Sequence, residues 1–85
     1  MKEFRYTVVS ELGMHARPAG MFARLAKSYR SKIMIYKEDR SSDALRLMNV
    51  MRIGIRQGDQ IRITVDGEDE EQALAGVEQT CREYL

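Results

Sequence analysis

An 85-residue chain is one small domain, 1–85, of a size that removes only about 60% of its unfolded surface from water on folding, which leaves no room for a deep cleft. Lys and Arg number 14 against 13 Asp and Glu, and a net charge of +1 excludes the broadly basic surface of a dedicated nucleic-acid binder. A lone cysteine, no basic-then-apolar opening segment and no apolar run near the roughly 18 residues of a membrane span predict a cytoplasmic protein with no membrane insertion.

Lys2 to Val9 alternates, with Phe4, Tyr6 and Val8 on one face and Arg5 and Thr7 on the other, the pattern of a half-buried strand. Gly13-Met14-His15-Ala16-Arg17-Pro18-Ala19 follows, holding the only histidine and the only proline. Gly13 permits a sharp turn. Proline is tolerated in the first helical turn because its missing N–H breaks no hydrogen bond there. The segment therefore predicts a helix start, with His15 facing the free amides of the first turn. The positive end of the helix dipole and the Arg17 guanidinium both favour an anion at that place, such as a phosphoryl group on the imidazole ring.

From Ala16 to Tyr29 the apolar spacing becomes helical: Phe22, Leu25, Ala26 and Tyr29 form one stripe, while Arg24 and Lys27 point away. Lys32 to Lys37 alternates again as a second strand, with Ile33 and Ile35 opposed to Met34 and Tyr36. Glu38-Asp39-Arg40-Ser41-Ser42 reads as a turn leading into a short third strand that runs up to about Ala44. Leu45 to Ile53 is too densely apolar for a helix with a clean solvent face, so part of it is either deeply buried or displayed. Gln60 to Asp66 is a fourth strand, with Ile61, Ile63 and Val65 on one side. Asp69 and Gln72 have the spacing of a capping box, and a last helix follows that buries Leu74, Val77, Cys81 and Tyr84.

This order of elements implies an α+β domain with helices over one face of an antiparallel sheet. Such a layout hosts many functions, so the choice among them rests on the site. No carboxylate cluster or metal-ligand set accompanies His15, and neither a metal nor another cofactor is expected. Cys81 sits on an apolar stripe as a core residue would, and the tyrosines show no pattern beyond packing.

The Gly13–Ala19 segment resembles the active-site signature of the HPr family, the histidine-containing phosphocarriers of the bacterial phosphotransferase system. Chain length, element order, the Met48–Ile55 segment with Gly54, the Gly58 turn and Gly67-Glu68-Asp69 carry the likeness across essentially the whole chain. The resemblance implies an open-faced β-sandwich: a four-stranded antiparallel sheet in the order 1-4-2-3, covered on one face by three helices. It also implies a carrier and not an enzyme, accepting a phosphoryl group from enzyme I on His15 and passing it to IIA proteins or domains. Arg17 steadies the phosphate in that scheme, and Ala16 and Pro18 shape the helix start around it.

The first two helices flank the histidine in the family, which implies a docking face containing Met21, Arg24, Lys27, Arg46, Leu47, Met48 and Met51. Methionine adapts to several partners, and the alternative for Met48 and Met51 is that they fill the core. A small carrier of this kind is expected to be monomeric. The regulatory serine that opens the second helix in Gram-positive members is replaced by Arg46, and the resemblance places neither Ser41 nor Ser42 at that helix entry. Arginine is a poor N-cap, so Asp43 is expected to cap the helix and extend it backwards. Two alternatives share the pattern: a paralogous carrier serving a nitrogen-type or other regulatory branch, and a protein-binding module that is no longer phosphorylated.

Overall fold

The computed structural model describes residues Met1–Leu85. The elements run β1 (Lys2–Thr7), α1 (Ala16–Ser28), β2 (Lys32–Lys37), β3 (Arg40–Asp43), α2 (Leu47–Arg52), β4 (Gln60–Asp66) and α3 (Glu70–Tyr84). The four strands form one antiparallel sheet in the order β1-β4-β2-β3. No helix is long and apolar enough to cross a membrane.

The register explains the two faces. Phe4 lies opposite Ile63, Tyr6 opposite Ile61, and Ile33 and Ile35 opposite Val65 and Ile63, so the apolar positions of three strands share one side of the sheet. The helices cover that side, and Phe22 of α1, Val50 of α2 and Val77 and Cys81 of α3 are fully buried against it. Each fully buried side chain of this kind contributes roughly 1.5–3 kcal/mol. The other side of the sheet carries Glu3, Arg5, Tyr36 and Arg62. There the Glu3 carboxylate accepts from Arg5 at 2.9 Å and Arg62 at 3.3 Å, and the Arg62 guanidinium sits 4.1 Å over the Tyr36 ring. Exposed pairs of this type are screened by solvent and add little, so the apolar side holds the fold together.

Several expectations are corrected. The β2–β3 turn spans only Glu38 and Asp39, because Lys37 already pairs with Arg40, and Arg40, Ser41 and Ser42 belong to the strand. Glu38 takes φ +54° to close this short loop, in a residue type that rarely adopts it. Asp43 does not cap α2. It is the last residue of β3, paired with Met34, and its carboxylate accepts from the Leu45 N–H (2.9 Å) while its carbonyl accepts from the Arg46 N–H (3.1 Å). That turn consumes the cap, so α2 begins after Arg46, whose side chain makes no capping bond.

The capping box at Asp69 is also absent. The Asp69 carboxylate reaches across the molecule to the Arg30 N–H, the Ser31 N–H (both 2.9 Å) and the Ser31 hydroxyl (2.6 Å), tying the start of α3 to the α1–β2 connection. Glu70, not Gln72, bonds back, accepting from the Gly67 N–H at 3.2 Å. In α3 Val77 and Cys81 are buried as expected, but Leu74 and Tyr84 are only half-buried, and Ala73 and Thr80 complete the inner face.

The Ser31 hydroxyl and then the Arg30 amide hold the Asp69 carboxyl below its ordinary value of 3.8. A lowered folded-state value means that ionised Asp69 adds stability that is fully present above the unfolded value and is lost as pH falls through the folded one. The difference in Tm between the wild type and Asp69→Ala should therefore stay constant from pH 7 to pH 5 and shrink only below about pH 4. Thermal melts followed by circular dichroism check this, and a difference that shrinks already between pH 7 and pH 5 contradicts it.

Candidate functional site

The segment from Val8 to His15 has no regular structure of its own, so its shape comes from what it is bonded to. Val8 exchanges backbone hydrogen bonds with the 58–59 turn, its N–H donating to Asp59 (2.9 Å) and its carbonyl accepting from Gly58 (2.8 Å). The Val9 and Ser10 amides both donate to the Leu85 carbonyl, at 2.6 and 2.7 Å, and the Gln57 side-chain amide donates to the Val9 carbonyl at 3.0 Å. Met14 then donates to the Ile55 carbonyl (3.0 Å) and buries its side chain in the core. His15 follows directly and is half-buried, at the boundary between that anchor and the solvent.

Gly13 makes the close approach possible. Its φ is +60°, and a Cβ there would overlap the Ile55 carbonyl oxygen and lie 2.9 Å from the Arg56 Cα. The 53–59 segment beneath is itself pinned. Lys37 donates to the Gly54 carbonyl (2.9 Å) and pairs with Asp59 (2.7 Å), and Asp59 also accepts from the Arg56 amide (2.7 Å). The Lys37 ammonium and then the Arg56 amide hold the Asp59 carboxyl below its usual range.

His15 is the N-cap residue of α1, with extended backbone (φ −97°, ψ −171°) and no capping bond from its side chain. Its own N–H donates to Gly13 (3.1 Å), and the first intrahelical bond runs from Ala19 to the His15 carbonyl (3.1 Å). Between them Ala16 and Arg17 present N–H groups with no intrahelical acceptor, and Pro18 has none to present. His15 thus directly precedes two backbone donors with no intrahelical acceptor, at the positive end of a 13-residue helix. Pro18 is buried, Ala16 and Arg17 are exposed, and the Arg17 guanidinium lies 5.2 Å over the Tyr84 ring.

The grooves beside β3 and α2 are not lined by His15. His15 is half-buried at the edge of the molecule. No cluster of His, Cys, Asp and Glu that could hold a metal ion is present. Burial pushes the Cys81 thiol up to about 12, so it stays protonated and inert near neutral pH.

The other expected residues fall into two sets. On α1, Met21 is half-buried while Arg24 and Lys27 are exposed. On and before α2, Arg46 and Leu47 are exposed, Met48 is 59% exposed, and Met51 packs against the core. The two helices pack against each other. Two features had no signal in the sequence. Tyr84 reaches Arg17 from the far end of the chain, and Arg40 and Arg52 join Arg46 around a groove of ≈ 590 Å³ between β3 and α2.

A helix start with one histidine and two amides that lack intrahelical acceptors thus sits on a four-stranded open-faced sandwich. A family model described as "PTS HPr component phosphorylation site" matches residues 2–83. Phosphocarrier protein HPr of Mycoplasma capricolum is 35% identical over 94% of this chain and 90% of its own length. Among solved structures, an HPr from Thermoanaerobacter tengcongensis superposes with TM-score 0.90 at 30% identity, covering 98% of this chain and 93% of that one. The histidine-containing phosphocarrier protein of Mycoplasma superposes with TM-score 0.92 at 33% identity, covering 96% and 93%. The chain belongs to the HPr family. It is a phosphocarrier of the bacterial phosphotransferase system, a protein that enzymes act upon and not itself an enzyme.

Because the left-handed φ and the contact with Ile55 both exclude a side chain at Gly13, Gly13→Ala should lower the unfolding free energy by about 2 kcal/mol or more. Urea unfolding measures it. A loss below about 0.5 kcal/mol, within the range of ordinary surface substitutions, contradicts this account of the loop.

Proposed function

We propose that His15 is the phosphoryl acceptor, taking the group from phosphorylated enzyme I and passing it to IIA proteins or domains. The observation that carries this reading is the pair of unclaimed amides, Ala16 and Arg17, beside the only imidazole in the chain. In uptake, the lone pair of a ring nitrogen forms a bond to phosphorus while the donor's bond to phosphorus breaks, its electron pair returning to the donor. Onward transfer breaks the N–P bond on His15 as the acceptor's bond forms. The two amides and the Arg17 guanidinium meet the dianion in between, and Pro18 fixes the start of the turn that aims them.

The magnitudes suit a carrier. A helix end favours an anion by roughly 0.3–1 kcal/mol at an exposed site, and a hydrogen bond to a charged group adds about 1.5–3 kcal/mol. Such a site holds the phosphoryl group without trapping it.

The docking face in this reading is the joint surface of α1 and α2: Met21, Arg24 and Lys27 on one helix and Arg46, Leu47, Met48 and Met51 on the other. Arg17, Arg24, Lys27 and Arg46 have no ion-pair partner, whereas Arg5, Arg30, Arg62 and Arg82 are paired elsewhere on the molecule. Unpaired positive charge around an apolar patch favours partners with acidic docking surfaces and speeds their encounter at low salt. A monomer that meets one partner at a time on this face fits the single exposed site.

Incubation with enzyme I and phosphoenolpyruvate, followed by intact-mass measurement, tests the proposal. One acid-labile phosphoryl group is expected, absent in His15→Ala, with an initial rate that falls as ionic strength rises. No adduct, or one that survives His15→Ala, contradicts it.

A further inference from the structure

Arg17 is exposed, makes no ion pair and donates no side-chain hydrogen bond; what it touches is the ring of Tyr84, 5.2 Å from guanidinium carbon to ring centroid. The backbone that carries the ring is anchored on both sides. Tyr84 is the last residue of α3, and the next residue, Leu85, is buried and donates its N–H to the Cys81 carbonyl at 2.9 Å. The Leu85 carbonyl in turn accepts from Val9 and Ser10, in the loop that carries Gly13 and His15. One short stretch of chain therefore connects the end of α3 to the active loop and sets the ring beside the first turn of α1.

We infer that Tyr84 is a positioning residue for phosphoryl transfer: its ring holds the Arg17 guanidinium at the helix start, ready for the group that His15 receives. The inference rests on the carrier reading of His15. Attraction to a ring face engages the cation as a charge and uses none of the five guanidinium N–H donors, so all of them remain free for phosphate oxygens. Without the ring, a long exposed side chain has to be ordered anew each time the phosphoryl group arrives, which weakens the phosphorylated state. The attraction of an exposed cation to an aromatic face corresponds to about two- to fivefold in an equilibrium constant.

The test measures the equilibrium between phosphorylated enzyme I and the carrier by intact mass, together with NMR of the Arg17 side chain. Tyr84→Leu should reduce the phosphorylated fraction at equilibrium by about two- to fivefold in the constant, and Tyr84→Phe, which keeps the ring, should match the wild type. In an Arg17→Ala background, Tyr84→Leu should change nothing further, a result that a general loosening of α3 would not give. The Arg17 δ protons of the unphosphorylated wild type should show an upfield ring-current shift that Tyr84→Leu removes. An unchanged equilibrium in Tyr84→Leu, the same loss without Arg17, or Arg17 protons at unperturbed positions each overturns the inference. If the wild type takes up no phosphoryl group, the carrier reading falls and this inference with it. If it does and Tyr84→Leu behaves as wild type, only the inference falls.

Discussion

The hydrogen bond from Met14 to the Ile55 carbonyl is the contact on which the functional end of the molecule depends. It places one residue of the loop in the core and leaves the next, His15, at the surface as the N-cap of α1. The bond forms only because Gly13 lets two backbone segments touch where a side chain would intervene. From that anchor the rest follows in sequence. His15 takes an extended backbone, the helix starts, Pro18 occupies a first-turn position with no N–H, and two amides remain without an acceptor beside the ring.

A loop of this kind needs support from several directions, and it receives it from distant parts of the chain. Gly58 and Asp59 hold Val8, Leu85 holds Val9 and Ser10, and Ile55 holds Met14. Lys37 and Asp59 keep the supporting segment in place. Each neutral hydrogen bond contributes only about 0.5–1.5 kcal/mol, so the loop is stable because these bonds act together on a core that already fixes their partners. The imidazole is placed at the edge of the molecule and not in a cleft, and its positioning is done by the backbone.

Much of this was legible in the sequence. The alternation of Ile61, Ile63 and Val65 and the stripe through Phe22 and Ala26 follow directly from side-chain burial, and the structure buries those residues. The His15–Pro18 spacing announced a helix start because proline and glycine constrain the backbone locally. The errors came where a polar side chain had a choice of partners. Asp43 and Asp69 both stand before helices, but one completes a strand-end turn and the other bridges to Arg30 and Ser31, contacts that depend on neighbours up to 39 residues away. Tyr84 was unreadable for the same reason: nothing local marks a tyrosine at the end of α3 as a neighbour of Arg17. The resemblance to a family supplied the sheet order and the nature of the cargo, which periodicity does not contain.

Charge separates the faces of the molecule in a way that matches this division of labour. Arginines on the open side of the sheet are tied to Glu3, whereas Arg17, Arg24 and Arg46 make no ion pair. The claim that the helix start is built to receive a phosphoryl group is tested most directly by the backbone amides themselves. In proton–nitrogen correlation spectra recorded before and after phosphorylation, the Ala16 and Arg17 amide protons should move downfield by more than any others in the chain. Unmoved Ala16 and Arg17 resonances in a fully phosphorylated sample would contradict the account.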